Sequence, residues 1–346
     1  MAKMPFGAVP MMKKNHLNIE GLRSIAKIGI TNALRAAALV LVFTGTKVHG
    51  GEDRQQVWLI STRCAPLSGD LDSGEKSICY WQLSTDHQWR SADEDAFYAD
   101  DEAKTPTTIV IHGNRVDADE AIDFAWHIYR RMVKVAQDQP FRLVIWSWPS
   151  ERMCRGIRPD IQLKLCYCDV QAYYLAACID RLRQKDVPVC LIGYSMGGKI
   201  IPGSLHLLAG GEVGHRTLTN RHSSDQAQKS TPSVRAVLVA AGVDDDSLCA
   251  DGVYNLALSQ VESMLIVKNC YDRVLKWYPR IYGRGGPEAL GFVGPICNDH
   301  CENIEMLDLS CELGRNHKWE GYLMSCRLIE SIDRYTFLKS NPVAAE

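Results

Sequence analysis

The sequence predicts an α/β protein, with a mostly parallel, twisted sheet of about eight strands and helices on both of its faces. Short β-branched runs such as Thr107–Ile111 are typical of buried parallel strands. These runs alternate with longer segments whose apolar residues follow helical spacing. Hydrophobic residues make up 46% of the 346-residue chain and charged residues 23%, which is ordinary globular composition.

The strands begin with a pair at residues 57–61 and 78–83, joined by a Gly- and Asp-containing turn and followed by a polar, acidic stretch at 91–104. The later predicted strands are residues 107–111, 141–146, 187–192, 234–240, 263–267 and 304–309. Trp148-Pro149 stops the strand at 141–146, because proline cannot donate to a sheet ladder.

The predicted helices occupy residues 119–137 and 162–184, the segment after Ser195 and residues 318–338, with further helices in the gaps. The first has apolar residues at spacing i, i+3, i+4 and i+7, which forms one buried stripe. Gly210 and Gly211 mark the end of the helix after Ser195, since glycine commonly terminates helices. Residues 212–233 are polar and lack an apolar period, so we expect a surface loop there.

Residues 1–50 have the character of a targeting segment, which leaves 51–346 as the folded domain. The segment is basic, with Glu20 as its one acidic residue, and contains the apolar run 36–43 followed by Val48-His49-Gly50. This order predicts a secretory signal and export to a bacterial periplasm or the medium. The alternatives are translation from Met11 or Met12, and an amphipathic helix of a cytoplasmic protein. No run approaches the roughly 18 apolar residues of a membrane span.

The chain has 13 cysteines, so at least one is unpaired. In an exported protein we expect disulfides among Cys297, Cys301, Cys311 and Cys326. The cluster of Cys297, His300 and Cys301 fits no strong zinc pattern, so no metal or other cofactor is predicted. A formal charge of −2 gives no basic footprint for nucleic acid.

The strongest motif is Gly193-Tyr194-Ser195-Met196-Gly197, which follows an apolar strand and opens a helix. This is the G-x-S-x-G pattern in the strand–turn–helix context that it requires. A serine on such a tight turn needs small neighbours, and the helix behind it favours a developing negative charge. Ser195 is therefore the candidate nucleophile.

A serine nucleophile needs a base, and the chain order of this pattern is serine, acid, histidine. Asp272 follows a strand directly and is the candidate acid, since sites gather at the carboxyl ends of parallel strands. The competing acids are Asp244–Asp246, which otherwise suit a helix N-cap and first turn. His317, between the last strand and the last helix, is the candidate base. His300, which precedes that strand, is the alternative.

An oxyanion hole needs two backbone donors. The N–H of Met196 is the first candidate, and the N–H of Asn114 is the second, with Gly113 as its alternative. We expect His112 to be a buried residue that supports this turn rather than a second base. Arg115 is a candidate for holding an anionic substrate group, although a surface salt bridge is the commoner role of such a residue.

These residues make the chain resemble the α/β-hydrolase superfamily over residues 57–338. Residues 191–199, 240–246, 272–276 and 289–294 are similar to an uncharacterised bacterial branch of lipase- and esterase-like serine hydrolases. The resemblance implies that the family's triad falls on Ser195, Asp272 and His317, and it indicates a reaction type rather than a substrate. The basic leader and the extra cysteines depart from the family.

The family often places a lid between the strands that here end near 241 and begin near 263. This gap has room for one helix, so no large lid is predicted. Residues 150–160, and the loop at 212–233, are the segments that we expect to overhang Ser195.

Two hypotheses of function follow. The first is a serine hydrolase that cleaves a small-molecule ester, thioester or amide through an acyl-enzyme. The second is an inactive binding protein that kept the fold. All three triad residue types stand in the right order, which favours the first. The acyl group, the leaving group and the oligomeric state are left open.

Overall fold

The structure, a computed structural model, describes residues 54–68, 74–99, 104–218, 234–283, 285–297 and 302–338. The targeting segment predicted at 1–50 lies outside these ranges. Within them, no helix combines the length and apolarity needed to cross a membrane.

The described residues form a nine-stranded sheet and a small two-stranded hairpin. The strands are β1 (Gln55–Ser61), β2 (Cys79–Leu83), β3 (Trp89–Ala92), β4 (Thr107–Ile111), β5 (Phe141–Ser147), β6 (Val189–Tyr194), β7 (Glu212–Val213), β8 (Arg216–Thr217), β9 (Val234–Val239), β10 (Ser263–Lys268) and β11 (Ile304–Asp308). The order across the large sheet is β11-β10-β9-β6-β4-β5-β1-β2-β3.

The large sheet is parallel from β11 to β1 and antiparallel where β2 and β3 join its edge. Strands β4, β5 and β6 lie near the middle and are buried along their whole length. Burial on both faces explains why they read as continuous rather than alternating apolar runs.

The described helices are α1 (Glu94–Ala99), α2 (Ala118–Ala136), α3 (Ile157–Gln184), α4 (Gly197–Leu208), α5 (Pro279–Tyr282), α6 (Leu290–Val293), α7 (Ser310–Leu313), α8 (Trp319–Leu323) and α9 (Cys326–Tyr335). Short 3-10 helices occupy Glu75–Ser77, Ala257–Gln260 and Leu275–Trp277. Helix α2 begins at a capping box, in which Asp117 accepts from the Glu120 N–H and Glu120 accepts from the Asp117 N–H. This arrangement satisfies N–H groups that a helix start leaves unpaired.

Two apolar cores cover the two faces of the sheet. One joins the sheet to α3 and α4 through residues such as Leu175, Ile179 and Leu205. The other joins it to α2 and α9 through residues such as Ile128 and Ile332. The predicted fold class, a mostly parallel sheet with helices on both faces, is therefore confirmed.

The elements depart from the prediction in detail. The sheet has nine strands rather than about eight, because β3 pairs with the edge strand β2. The stretch at 91–104, read as merely polar, contains α1, whose Phe97 and Tyr98 are buried. Helix α3 begins at Ile157 instead of residue 162. The helix expected at 318–338 is divided into α8 and α9 at Met324 and Ser325, and Ser325 caps α9.

The connection between β9 and β10 contains turns and the 3-10 helix Ala257–Gln260. It holds no large lid, as predicted. The start of the loop at 212–233 is the β7–β8 hairpin, and residues 219–233 lie outside the described ranges.

A disulfide joins Cys249, in this connection, to Cys297, which follows α6. Disulfides were expected among Cys297, Cys301, Cys311 and Cys326. That expectation was wrong for Cys297, whose partner is 48 residues earlier in the chain. Cys311 and Cys326 are free thiols, and Cys301 lies outside the described residues.

Candidate active site

Ser195 lies on the tight turn between β6 and α4, with a φ of 53°. This left-handed conformation is unfavourable for a residue with a side chain. Backbone hydrogen bonds hold it in place: the Ser195 N–H donates to the Val239 carbonyl, and the Ser195 carbonyl accepts from the Gly198 and Gly242 N–H groups. The turn therefore presents the hydroxyl at the carboxyl end of the central strand.

The glycine at position 197 is required by packing. A Cβ there would lie 2.3 Å from the Ile111 carbonyl oxygen and 2.7 Å from that of His112. Both distances are far inside van der Waals contact. This close approach of α4 to the end of β4 brings the loop after β4 against the nucleophile.

The structure brings Ser195, Asp272 and His317 into one hydrogen-bonded chain. His317 Nε2 lies 3.2 Å from Ser195 Oγ, and His317 Nδ1 lies 2.6 Å from Asp272 Oδ2. The residues follow β6, β10 and β11 respectively, which all end at the same edge of the parallel sheet. The arrangement has the geometry of a nucleophile, a base and a group that orients the base.

Asp272 is fully buried, and its two oxygens have separate partners. Oδ1 accepts from the backbone N–H groups of Val274 and Leu275. Oδ2 faces His317, with the Tyr322 hydroxyl 3.4 Å away. These hydrogen bonds satisfy the carboxylate and fix its direction, which in turn fixes the imidazole ring.

Backbone contacts hold the loop that carries His317. The Tyr194 hydroxyl donates to the His317 carbonyl. The buried Asn269 side chain donates to the carbonyls of Gly314 and Asn316, at 2.9 and 3.1 Å. Burial raises the pKa of Tyr194, and Asp272 raises it further, so this phenol remains a donor. The role of Tyr194 was not predicted, although it lies inside the G-x-S-x-G motif.

Three unpaired backbone donors lie around the serine. The backbone N–H groups of Met196, Gly113 and Asn114 donate to no backbone carbonyl of the described residues. A Cβ on Gly113 would lie 3.1 Å from Ser195 Cβ, so Gly113 is next to the nucleophile. Asn114 follows Gly113 directly, so the N–H groups of both residues stay candidates for the second oxyanion donor.

His112 is buried and tied to neighbouring backbone. Its Nε2 accepts from the Trp148 N–H at 3.2 Å, and its Nδ1 is 2.9 Å from the Gly113 carbonyl. Burial, together with the adjacent Arg63 guanidinium, lowers the pKa of His112 to about 3. A neutral ring held in this way supports the turn at Gly113, which is the role expected for it.

Lys164 and Asp160, on α3, form an ion pair whose side chains are both fully buried. Lys164 Nζ lies 2.8 Å from Asp160 Oδ2 and 2.7 Å from Asn114 Oδ1. Asp160 Oδ1 accepts from the N–H groups of Met153 and Cys154. The pair therefore connects the loop after β4 with the segment 150–156. The sequence carried no clear signal for this contact, because Asp160 precedes the helix expected at 162–184.

Asp244–Asp246, the competing candidates for the acid, lie in turns after β9 and make other contacts. Asp244 accepts a hydrogen bond from the Tyr278 hydroxyl at 2.8 Å, and Asp246 is exposed. No helix begins at Asp244–Asp246, so their expected role as an N-cap and first-turn acids was wrong. This segment forms turns, and Asp244 instead bridges to Ala289. His300, the alternative base, lies outside the described residues.

Arg115 is an exposed turn residue with a φ of 60°. The surface salt bridge expected for it is not present among the described residues. Its backbone N–H donates to the Ser150 carbonyl. The arginine that packs beneath this loop is instead Arg63, which contacts Glu151, the Val116 carbonyl and His112.

No group of three or more potential metal ligands occurs in the part of the chain that the structure describes. Of the cluster Cys297, His300 and Cys301, Cys297 is bound in a disulfide, and the other two lie outside that part.

No family model matches the chain, and no curated protein matches it. Similar solved structures include a lipase-esterase related protein from Clostridium acetobutylicum, with 14% identity, coverage of 67% of this chain and 95% of that chain, and a TM-score of 0.32. Another is esterase B from Lactobacillus rhamnosis inhibited by a tributyrin phosphonate, with 13% identity, 92% and 96% coverage and a TM-score of 0.34. At such scores these likenesses carry no argument about activity.

The architecture itself is an α/β fold with a mostly parallel sheet and helices on both of its faces. The strand–turn–helix that presents Ser195 is the local context that the G-x-S-x-G pattern requires.

Proposed function

We propose that this chain is a serine hydrolase that cleaves an ester bond through an acyl-enzyme. The observation that carries the proposal is the hydrogen-bonded chain from Asp272 Oδ2 through the His317 ring to Ser195 Oγ, at 2.6 and 3.2 Å. A serine hydroxyl becomes a useful nucleophile when an oriented base can take its proton. The buried aspartate supplies that orientation.

In the first half of the reaction Ser195 Oγ attacks the carbonyl carbon while its proton passes to His317 Nε2. The tetrahedral intermediate collapses, the bond to the leaving group breaks, and the imidazolium returns the proton to the departing oxygen. In the second half, water attacks the acyl-serine ester, His317 takes the water proton, and the same proton returns to Ser195 Oγ as the acid leaves.

The oxyanion of each tetrahedral intermediate needs donors that are already in place. The unpaired N–H groups of Met196 and of Gly113 or Asn114 suit this role. Donors held in position by surrounding structure contribute about 2.7–4 kcal/mol each in comparable sites. The turn at Ser195 and the buried support of His112 hold these groups before substrate arrives.

The connection between β9 and β10 contains turns and one 3-10 helix, which favours a small substrate. Without a large lid between β9 and β10, a small ester is the best match, and thioesters and amides are the chemically related alternatives. The same triad serves all three, because the fold does not choose the substrate.

A fluorophosphonate probe tests the nucleophile without knowledge of the substrate. The wild-type chain should be labelled at Ser195, and Ser195→Ala should not be labelled while keeping the same circular dichroism spectrum. Absence of labelling in a folded wild type would overturn the proposal and favour an inactive binding protein.

We also propose that the chain is exported by means of the targeting segment at residues 1–50. The Cys249–Cys297 disulfide supports this, because such bonds persist in oxidising compartments. Expression in a bacterium, followed by mass determination of the secreted product, tests it. Retention of the chain in the cytoplasm would contradict export.

A further inference from the structure

A cavity of about 600 Å³ lies between the loop that carries Asp272 and the loop that carries His317. One wall is formed within residues 270–280, and the other by Gly314 and Arg315. Neither Ser195 nor His317 lines the cavity. It is therefore a second concave feature, next to the loops of the triad but separate from the nucleophile.

The lining of this cavity is strongly cationic. Among the described residues, the lining includes Arg273, Lys276, Arg280 and Arg315 and no acidic residue. Within the described ranges, none of these four residues forms an ion pair with a carboxylate. Several other described arginines, such as Arg131 and Arg334, do lie against carboxylates. Four cations around one cavity, none of them in an ion pair with a described carboxylate, favour a local positive potential in a chain of nearly balanced charge.

The walls of the cavity are fixed relative to each other. Asn269, at the base of the first wall, donates hydrogen bonds to the Gly314 and Asn316 carbonyls of the second. The Cys270 N–H donates to Ser310 Oγ at 2.9 Å. A preformed cavity avoids much of the ordering cost that binding otherwise carries.

Aromatic surface stands beside the charges. The Arg280 guanidinium carbon lies 3.8 Å from the centroid of the Trp277 ring, a contact that holds the cation in place. Trp277 is 60% exposed and Tyr271 56% exposed. The cavity thus offers cations for an anionic group and flat apolar surface for the organic portion of the same ligand.

We propose that this cavity binds a phosphate-bearing organic ligand, with the phosphate oxygens on the cations and the organic portion against Trp277. A phosphate carries up to two negative charges and several acceptor oxygens, which suits a fork of guanidinium donors. The volume falls in the range of small-molecule sites and exceeds what a phosphate alone would fill. A free phosphoester and a phospholipid headgroup share this chemistry. The site requires no catalysis at Ser195 and goes beyond the hydrolase function.

The test compares two charge-matched double variants of the full chain. Arg273→Gln with Lys276→Gln removes two cations from the cavity. Arg54→Gln with Lys104→Gln removes one arginine and one lysine from exposed sites elsewhere, where each faces a single aspartate. All four positions are exposed, so both variants should fold, and the leader with its own basic residues is common to both.

One arm titrates glycerol 3-phosphate by calorimetry, and the other sediments the chain with vesicles of phosphatidylglycerol in phosphatidylcholine. In at least one arm, the wild type and the control pair should bind alike. The cavity pair should bind at least about ten-fold more weakly, the equivalent of about 1.4 kcal/mol. Binding in the first arm identifies a free phosphoester as sufficient, and binding in the second alone identifies the lipid headgroup.

The exposed thiol of Cys270 locates the ligand, because this residue lines the cavity. The bound probe should slow alkylation of Cys270 and leave that of Cys79, an exposed thiol on β2, unchanged. No saturable binding in either arm, or equal binding by the cavity and control pairs, overturns the proposal. Ser195→Ala should bind as the wild type does, so this result is independent of the hydrolase function.

Discussion

Lys164 Nζ lies 2.7 Å from the side-chain oxygen of Asn114, although 50 residues separate them in sequence. The same ammonium group is paired with the buried Asp160 carboxylate at 2.8 Å. Asn114 belongs to the loop that supplies the second oxyanion donor in the proposed mechanism. The position of that donor therefore depends on an ion pair in α3 as well as on the loop itself.

Lys164→Met should slow ester turnover by up to about a hundred-fold with little change in KM, because small misplacements of a transition-state donor have effects of this size. It should also lower the free energy of unfolding by about 3–5 kcal/mol, since Asp160 is left as an unpaired buried charge. Steady-state kinetics on a p-nitrophenyl ester and urea denaturation measure the two effects.

The double variant Asp160→Asn with Lys164→Met separates these effects. It removes both buried charges, so much of the stability should return, while the Asn114 side chain still lacks its partner. Turnover should stay slow. A double variant with wild-type turnover would show that Lys164 contributes only to stability.

Asp272→Asn should reduce kcat by about four orders of magnitude, as expected when a triad aspartate no longer selects the tautomer and orientation of the histidine. Asp246→Asn is the matched control, because Asp246 is exposed and comes from the run that competed for the role of acid. Kinetics of both variants on one ester make the comparison. Near-normal turnover in Asp272→Asn would remove it from the proposed mechanism.

The meeting of Ser195, Asp272 and His317 in one hydrogen-bonded chain could be predicted because each follows a strand of a parallel sheet. Ser195, Asp272 and His317 come after β6, β10 and β11, so parallel pairing alone brings them to one edge of the sheet. Local sequence patterns locate such strands, and chain order then assigns the residues.

Contacts that depend on side-chain direction could not be predicted in the same way. Lys164 is an ordinary charged residue by its helical spacing, and its burial follows from the position of the loop at Asn114. The pairing of Cys249 with Cys297 depends on how the β9–β10 connection packs against the segment after α6. The spacing of apolar residues in the sequence does not predict such packing. The edge strand β3 was missed because its pattern is mostly polar and partly exposed.

The stability of the chain should fall in acid through His112. Its folded pKa of about 3 lies below the ordinary value of about 6.5 for the unfolded chain. Between these values the unfolded state binds the additional proton. This contribution to stability is thus complete above about pH 6.5 and declines by up to about 1.4 kcal/mol per pH unit as the pH falls towards 3.

Urea denaturation from pH 7 to pH 4 measures this dependence. His112→Gln can still accept from the Trp148 N–H but does not titrate, so its stability should vary less with pH than that of the wild type. The exposed His127→Gln should follow the wild type. Parallel curves for His112→Gln and the wild type would contradict the assignment of the acid dependence to His112.

The Cys249–Cys297 disulfide closes a loop of 48 residues that contains β10 and Asp272. In the chain-entropy account, a loop of this length contributes about 4 kcal/mol by restricting the unfolded state. Cys249→Ser with Cys297→Ser should therefore lower the free energy of unfolding by about that amount. Denaturation under non-reducing conditions measures the change.

Cys311→Ser with Cys326→Ser is the matched control, because both residues are exposed free thiols, although the sequence predicts disulfides among them. This pair should unfold as the wild type does. A reducing agent should destabilise the wild type and the control by the same amount and leave Cys249→Ser with Cys297→Ser unchanged. If the reductant instead affects only the wild type, the bond involves Cys311 or Cys326, and the pairing of Cys249 with Cys297 is wrong.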